Sequence, residues 1–152
     1  MSSHSSIHPT SVNDKGELII PEGETVLVVP DSLKHKIKSV RIPKLVKFID
    51  INNFSGCTNL ESVTFEPGSQ LTEIRSDAFE KCKKLKSIKI PKLVEFIGSN
   101  SFYKCENLES VTFENDSQLQ TFHSHCFQAC KKLKSIKIPK SVMYIRTQSF
   151  SF

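Results

Sequence analysis

The chain has 152 residues, 38% hydrophobic and 24% charged, which is enough apolar material for the core of one domain and excludes wholesale disorder. Its 21 Lys and Arg against 16 Asp and Glu leave a formal charge of +5, so the placement of charge says more than its sum. No run approaches the roughly 20 apolar residues of a membrane-spanning helix. Five cysteines, an odd number, exclude a fully paired disulfide framework within the chain.

Residues 1–16 are polar, and Met1 to Ile20 lacks the basic segment and apolar run of a secretory signal. The stretch reads as a flexible tail, and the missing signal points to an intracellular, cytoplasmic location with the cell surface as the alternative. Residues 17–36 read as an N-terminal cap. In it Leu18-Ile-Ile20 and Val26-Leu-Val-Val29 flank Pro21-Glu-Gly-Glu24 as a hairpin, followed by an irregular turn. Asp31 and Lys34 are polar where later units are apolar, which suits a solvent-facing end.

From residue 37 the sequence repeats. Ile37-Lys-Ser-Val-Arg-Ile42, Leu60-Glu-Ser-Val-Thr-Phe65, Leu85-Lys-Ser-Ile-Lys-Ile90, Leu108-Glu-Ser-Val-Thr-Phe113 and Leu133-Lys-Ser-Ile-Lys-Ile138 start at spacings of 23, 25, 23 and 25. The extra two residues fall in one loop, Glu66-Pro-Gly-Ser-Gln70 in the first instance. Each unit continues with Val46, Leu71, Val94, Leu119 or Val142, then Ile49, Ile74, Ile97, Phe122 or Ile145, then Phe54, Phe79, Phe102, Phe127 or Phe150. Cys57, Cys82, Cys105 and Cys130 stand three residues after a Phe.

Alternation of Val63 and Phe65 with Ser62 and Thr64 predicts a short half-buried strand. The period of three through Phe79, Cys82 and Leu85 predicts one turn of α- or 3₁₀-helix. Ser76, Ser99, Ser124 and Thr147 are placed to cap those turns, and Pro43, Pro91 and Pro139 to end the strands. The expected architecture is a stacked array of about five units over 37–152.

The pattern Phe-x-x-Cys-x-x-Leu-x-Ser-Ile-x-Ile-Pro-x-x-Val-x-x-Ile resembles the short leucine-rich repeat of the BspA-like surface-antigen family, over roughly residues 37–150. The resemblance implies a leucine-rich repeat solenoid, α/β or mainly β. Short parallel strands and short helical turns would form a right-handed curved superhelix, used for binding proteins or for adhesion. It implies no catalytic residue.

Outward strand positions alternate in charge from unit to unit: Lys38 and Arg41, Glu61 and Thr64, Lys86 and Lys89, Glu109 and Thr112, Lys134 and Lys137. Stacked in parallel, Lys38–Glu61–Lys86–Glu109–Lys134 would form cross-strand ion pairs that fix register. Together with Lys83, Lys84, Lys131 and Lys132 at the helix-to-strand turns, these residues are the candidate surface for a protein partner, as a module or scaffold within a larger assembly. A cell-surface antigen or adhesin is the alternative, and a polyanion or membrane-surface binder acting through the turn lysines is a weaker one. Acidic strands interrupt the basic ones, which argues against a nucleic-acid surface. Ser149-Phe-Ser-Phe152 stops halfway through a unit: either residues 139–152 alone cover the last layer, or a longer protein was cut here, or the layer meets another molecule, for which Phe150 and Phe152 make self-association the candidate.

The remaining chemistry reads as packing. Cysteines 23 to 25 residues apart lack the close pairing of zinc ligands and behave as small buried hydrophobes, with disulfides between coils as the lesser option. His123-Ser-His125-Cys126-Phe-Gln-Ala-Cys130 holds four ligand-type residues, but their repeat slots predict diverging side chains. No Gly-x-Ser-x-Gly, phosphate-binding loop or His-Glu-x-x-His motif occurs. The reading is therefore a protein without enzymatic activity, metal or cofactor, whose phenylalanines form the core rather than an aromatic cage.

Overall fold

The computed structural model describes residues 10–151. Within them the alternating segments are strands β3 (Ser39–Ile42), β5 (Ser62–Phe65), β7 (Ser87–Ile90) and β9 (Ser110–Phe113). They follow a short hairpin, β1 (Ser11–Val12) and β2 (Glu17–Ile19), and a 3₁₀ turn at Asp31–Lys36. Val40, Val63, Ile88 and Val111 face the core, while Arg41, Thr64, Lys89 and Thr112 face outward. Each coil then adds a two-residue strand: β4 (Phe48–Ile49), β6 (Glu73–Ile74), β8 (Phe96–Ile97), β10 (Thr121–Phe122) and β11 (Tyr144–Ile145). These form one continuous parallel sheet, ordered β11-β10-β8-β6-β4, with Ile49, Ile74, Ile97, Phe122 and Ile145 in register.

The first strands behave differently. β3 pairs with β5 and β7 with β9, all parallel, but among the described residues no ladder joins β5 to β7, and 134–138 forms no strand. Backbone chemistry at one slot explains the break. Glu66 and Glu114 donate their N–H to Ile42 O and Ile90 O of the preceding coil, both at 3.0 Å. Gln70 and Gln118 donate to Lys44 O and Lys92 O, both at 2.8 Å. The carboxylates of Glu66 and Glu114 accept in turn from the N–H of Lys44 (3.0 Å) and Lys92 (2.9 Å). In the basic coils that slot holds Pro91 or Pro139, which has no N–H to give to the acidic coil before it. The 48-residue double repeat is thus also a hydrogen-bonding unit, a basic coil clasped by the acidic coil that follows.

The expected helical turns are not helices. Asn52, Asp77, Asn100, His125 and Gln148 have left-handed φ of 52–61°, as do Gly56, Lys81, Lys104 and Ala129 four residues on, at 58–76°. The N–H groups therefore alternate in destination. Phe54, Phe79 and Phe102 donate to Ala78 O, Ser101 O and Cys126 O of the next coil at 2.7–2.8 Å. Cys57, Cys82 and Cys105 donate to the Phe three residues back at 3.0–3.2 Å. An α-helix would keep all these bonds within its own coil, whereas the broken turns make a third wall that knits coil to coil. Ser76, Ser99, Ser124 and Thr147, expected to cap by side chain, give the wall their backbone carbonyls, which accept from Asn52, Asp77, Asn100 and His125 at 3.0–3.3 Å.

The N-terminal hairpin lies one segment earlier than expected. β1 and β2 pair antiparallel across Asn13–Gly16, and β2 then pairs parallel to β3 with Leu18 opposite Val40. Asn13 Oδ1 accepts from the N–H of Lys15 and of Glu17, both at 3.0 Å, and Gly16 takes φ +79°, so this tetrapeptide carries the turn. Val26–Val29 forms no strand, although Leu27 and Val29 are buried against the core. Residues 10–16, read as tail, thus lead into and form part of the cap; residues 1–9 and Phe152 lie outside the described residues. Lys34 Nζ donates to Asn52 O at 2.8 Å and meets Asp31 at 3.1 Å, so a cation covers the first end of the turn wall.

The core is a ladder of repeated side chains. Phe54, Phe79, Phe102 and Phe127 stack at ring separations of 5.2 Å with planes within 12°, and Phe150 continues the column at 5.8 Å. All but Phe150 are fully buried. Phe102→Ala, which leaves a void between two rings, is expected to cost about 3–5 kcal/mol, measured as a fall in the urea midpoint.

Candidate binding surface

All fourteen residues of the candidate surface are exposed. They fall into two groups, an outward row carried by the first strands and by the strandless segment 134–138, and the rim of the turns. The cross-strand ion pairs expected along Lys38–Glu61–Lys86–Glu109–Lys134 are not formed. Among the described residues the ion pairs are Lys34–Asp31, Arg75–Asp50, Arg75–Glu73, Lys81–Glu80 and Lys131–Glu106. Pairs this exposed gain little, because the rotamer freedom lost on pairing offsets most of the water-screened attraction. The missing ladder between β5 and β7 further loosens Glu61 from Lys86. On the rim Lys131 meets Glu106 at 3.1 Å and holds that carboxyl below its usual range, whereas Lys83, Lys84 and Lys132 make no ion pair. Where β9 and the last coil part, a groove of about 770 Å³ opens between Val111–Ser117 and Lys137–Ser141.

A second outward face escaped sequence reading. Phe48, Phe96 and Tyr144, 48 residues apart, stand on the continuous sheet one residue before the Ile of alternate coils, of which Ile49 and Ile97 are buried and Ile145 is exposed. The Arg75 guanidinium lies 4.1 Å from the Phe48 ring and bonds Glu73 (2.8 Å) and Asp50 (3.2 Å). The Glu73 hydrogen bond, then that of Asp50, raises the pKa of Arg75 further; the Ile51 N–H, then Arg75, lowers that of Asp50. His123 meets the Phe96 edge at 5.5 Å, and Arg146 lies 5.4 Å from the Tyr144 ring. The available signal was the 48-residue recurrence of an aromatic at an outward position.

The thiols face inward. Cys82, Cys105 and Cys130 donate Sγ to Phe54 O, Phe79 O and Phe102 O of the preceding coil at 3.1–3.2 Å, and all five cysteines are free and buried. Cys126 points instead to Ser149 O at 3.7 Å, so the thiols of the His123–Cys130 cluster address different coils. His123 packs on Phe96, and no three His, Cys, Asp or Glu converge on one point among the described residues.

Burial pushes the thiols of Cys57, Cys126 and Cys130 up to about 12, and those of Cys82 and Cys105 well above the ordinary 9.0. Between these values the native state holds protons that the unfolded chain has released. The stabilisation is therefore complete below pH 9 and is lost as pH climbs toward 12. A thiol reagent at pH 8 is expected to label none of the five in the native protein and all five in urea, with the melting temperature falling above about pH 9.

The BspA type leucine rich repeat region matches residues 32–152 in six copies, one more than the sequence reading counted, since the array begins at the polar-slotted turn. Among solved structures, the pneumococcal vaccine antigen PcpA is similar at 27% identity over 89% of this chain and 31% of that one, with a TM-score of 0.66. A leucine-rich repeat protein from Bacteroides ovatus is similar at 30% identity over 74% of this chain and 34% of that one, TM-score 0.55. The T. pallidum leucine-rich repeat protein TpLRR shares the fold at 20% identity, over 96% of this chain and 86% of that one, TM-score 0.57. The chain spans about a third of the length of PcpA and of the Bacteroides protein. Among curated proteins no sequence matches.

Proposed function

Because the chain belongs to the BspA-type leucine-rich repeat family, we propose that it is a non-enzymatic protein-binding module. It takes its partner on the outward row Arg41, Thr64, Lys89, Thr112 and Lys137 with the flanking Lys and Glu. The supporting observation is that these charges stand exposed and unpaired on a scaffold whose repeated inward slots are filled by packing. An interface there would desolvate charges that have no competing partner within the chain, which favours an acidic and basic mosaic on the other side. A surface-antigen role is the second reading, supported by the likeness to a vaccine antigen at 27% identity. A polyanion role would instead draw on Lys83, Lys84 and Lys132, which also lack ion pairs.

Immobilised chain is expected to retain a protein partner from the native source. Arg41→Glu/Lys89→Glu/Lys137→Glu should retain at least tenfold less while melting within about 2 °C of the parent. Retention lost only in Lys83→Glu/Lys84→Glu/Lys131→Glu/Lys132→Glu, and in raised salt, would support the polyanion reading instead. Retention indifferent to both variants would overturn the proposal.

A further inference from the structure

The joins between coils are of two kinds. Along the first strands β3 is bonded to β5, and β7 to β9. Between β5 and β7, among the described residues, no backbone hydrogen bond joins 61–66 to 86–91. The other two walls stay closed at that seam. Glu95 N–H donates to Thr72 O and Gly98 N–H to Ile74 O, both at 2.8 Å. Asp77 N–H donates to Ser99 O at 3.0 Å, and Phe79 N–H to Ser101 O at 2.7 Å.

The closed side of the seam is specially built. A Cβ on Gly98 would lie 2.7 Å from Ser76 N and 2.8 Å from the Arg75 carbonyl carbon, so only glycine lets the β8 coil approach the β6 coil this closely. Ser101, fully buried, sets its Oγ between Gly98 O of its own coil and Arg75 O of the coil before, the latter at 3.4 Å. Ser149, 48 residues on, sets its Oγ between Arg146 O (2.6 Å) and His123 O (3.0 Å), at the second join that lacks a first-strand ladder. Inside the bonded pairs the same slot holds Ala78, which has no hydroxyl, or Cys126, whose Sγ points forward to Ser149 O. A serine hydroxyl thus reaches back across each seam whose first strands are unbonded. We propose that the seam between β5 and β7 is a joint: its first-strand side opens and closes as a wedge, and the Gly98–Ser101 side is the pivot. Movement there breaks no inter-strand hydrogen bond, whereas movement within a bonded pair breaks a whole ladder. Opening changes the separation of Thr64 from Lys89 and leaves Arg41–Thr64 and Lys89–Thr112 fixed, so the outward face bends in two-coil blocks. The joint belongs to the scaffold and holds whether or not that face takes a partner.

The test uses the full chain, whose five buried thiols leave introduced ones as the labelling sites. Spin labels go on Thr64→Cys/Lys89→Cys across the seam and on Lys89→Cys/Thr112→Cys within a bonded pair, all at exposed positions. Dipolar broadening is expected to report a spread of separations at least about twice as wide across the seam. Equal spreads would overturn the proposal. Ser101→Ala installs the residue that position 78 already holds, so the chain is expected to fold. In that variant the amides of Asp77 and Phe79, which donate across the seam, should exchange at least about tenfold faster, with those of Asn52 and Phe54 one join earlier unchanged. No change at Asp77 and Phe79, or a rise shared equally by Asn52 and Phe54, would overturn it as well.

Discussion

Hydrogen bonding between coils holds them near 4.8 Å apart, so every side chain in the array must tolerate its counterpart at that distance. Phenylalanine does so by offset stacking, which is why the column from Phe54 to Phe127 keeps a 5.2 Å step. Cys82, Cys105 and Cys130 do so by turning the thiol onto the carbonyl of the Phe one coil back, which satisfies these buried donors. Lysine does not tolerate it, because a row of like charges at this spacing repels. Alternating Lys with Glu removes the repulsion without any ion pair having to form, and that is the state observed on the first strands.

The same spacing explains why two kinds of coil are needed. A proline after each basic strand removes one inter-coil donor, and the Glu after each acidic strand supplies that donor together with a carboxylate for the Lys44 or Lys92 N–H. Pairing is therefore directional: a basic coil accepts from the acidic coil that follows and offers nothing at this slot to the one before. Continuity across each gap rests on the second sheet and the turn wall. Thr72 O accepting from Glu95 N–H at 2.8 Å, and Asp77 N–H donating to Ser99 O at 3.0 Å, bridge coils whose first strands are unbonded.

Residues that recur in every coil were legible in the sequence, because period and slot fix their direction. The Phe column, the Cys ladder and the exposure of the fourteen candidate residues all follow from it. What depended on a conformation with no residue signature was not legible. Lys81, Lys104 and Ala129 adopt left-handed φ with side chains that do not announce it, so a period of three read as a helical turn rather than a hydrogen-bonding wall. The hairpin was misplaced because Pro21-Glu-Gly-Glu24 is the more conspicuous turn, while Asn13–Gly16 is set by one side-chain oxygen accepting twice. The aromatic row Phe48, Phe96 and Tyr144 recurs only in alternate coils and drops out of a pattern sought in every one.

These constraints bear on how such a protein acquires a partner. An inward change disturbs a column running through several coils, as an altered Phe102 would be felt by Phe79 and Phe127 alike. An outward change on the first strands meets only solvent and the weak field of its neighbours, so that row can vary at little cost to the fold. The second sheet offers a stiffer alternative: Arg75 is already held by Phe48, Asp50 and Glu73 and presents a fixed cation rather than a mobile one. A partner meeting the first face must organise the side chains it contacts, while one meeting the second finds them organised. For the partner proposed above, charge on the first strands would set attraction and association rate, and the Arg75 cluster, with less entropy left to lose, would be better placed to set geometry.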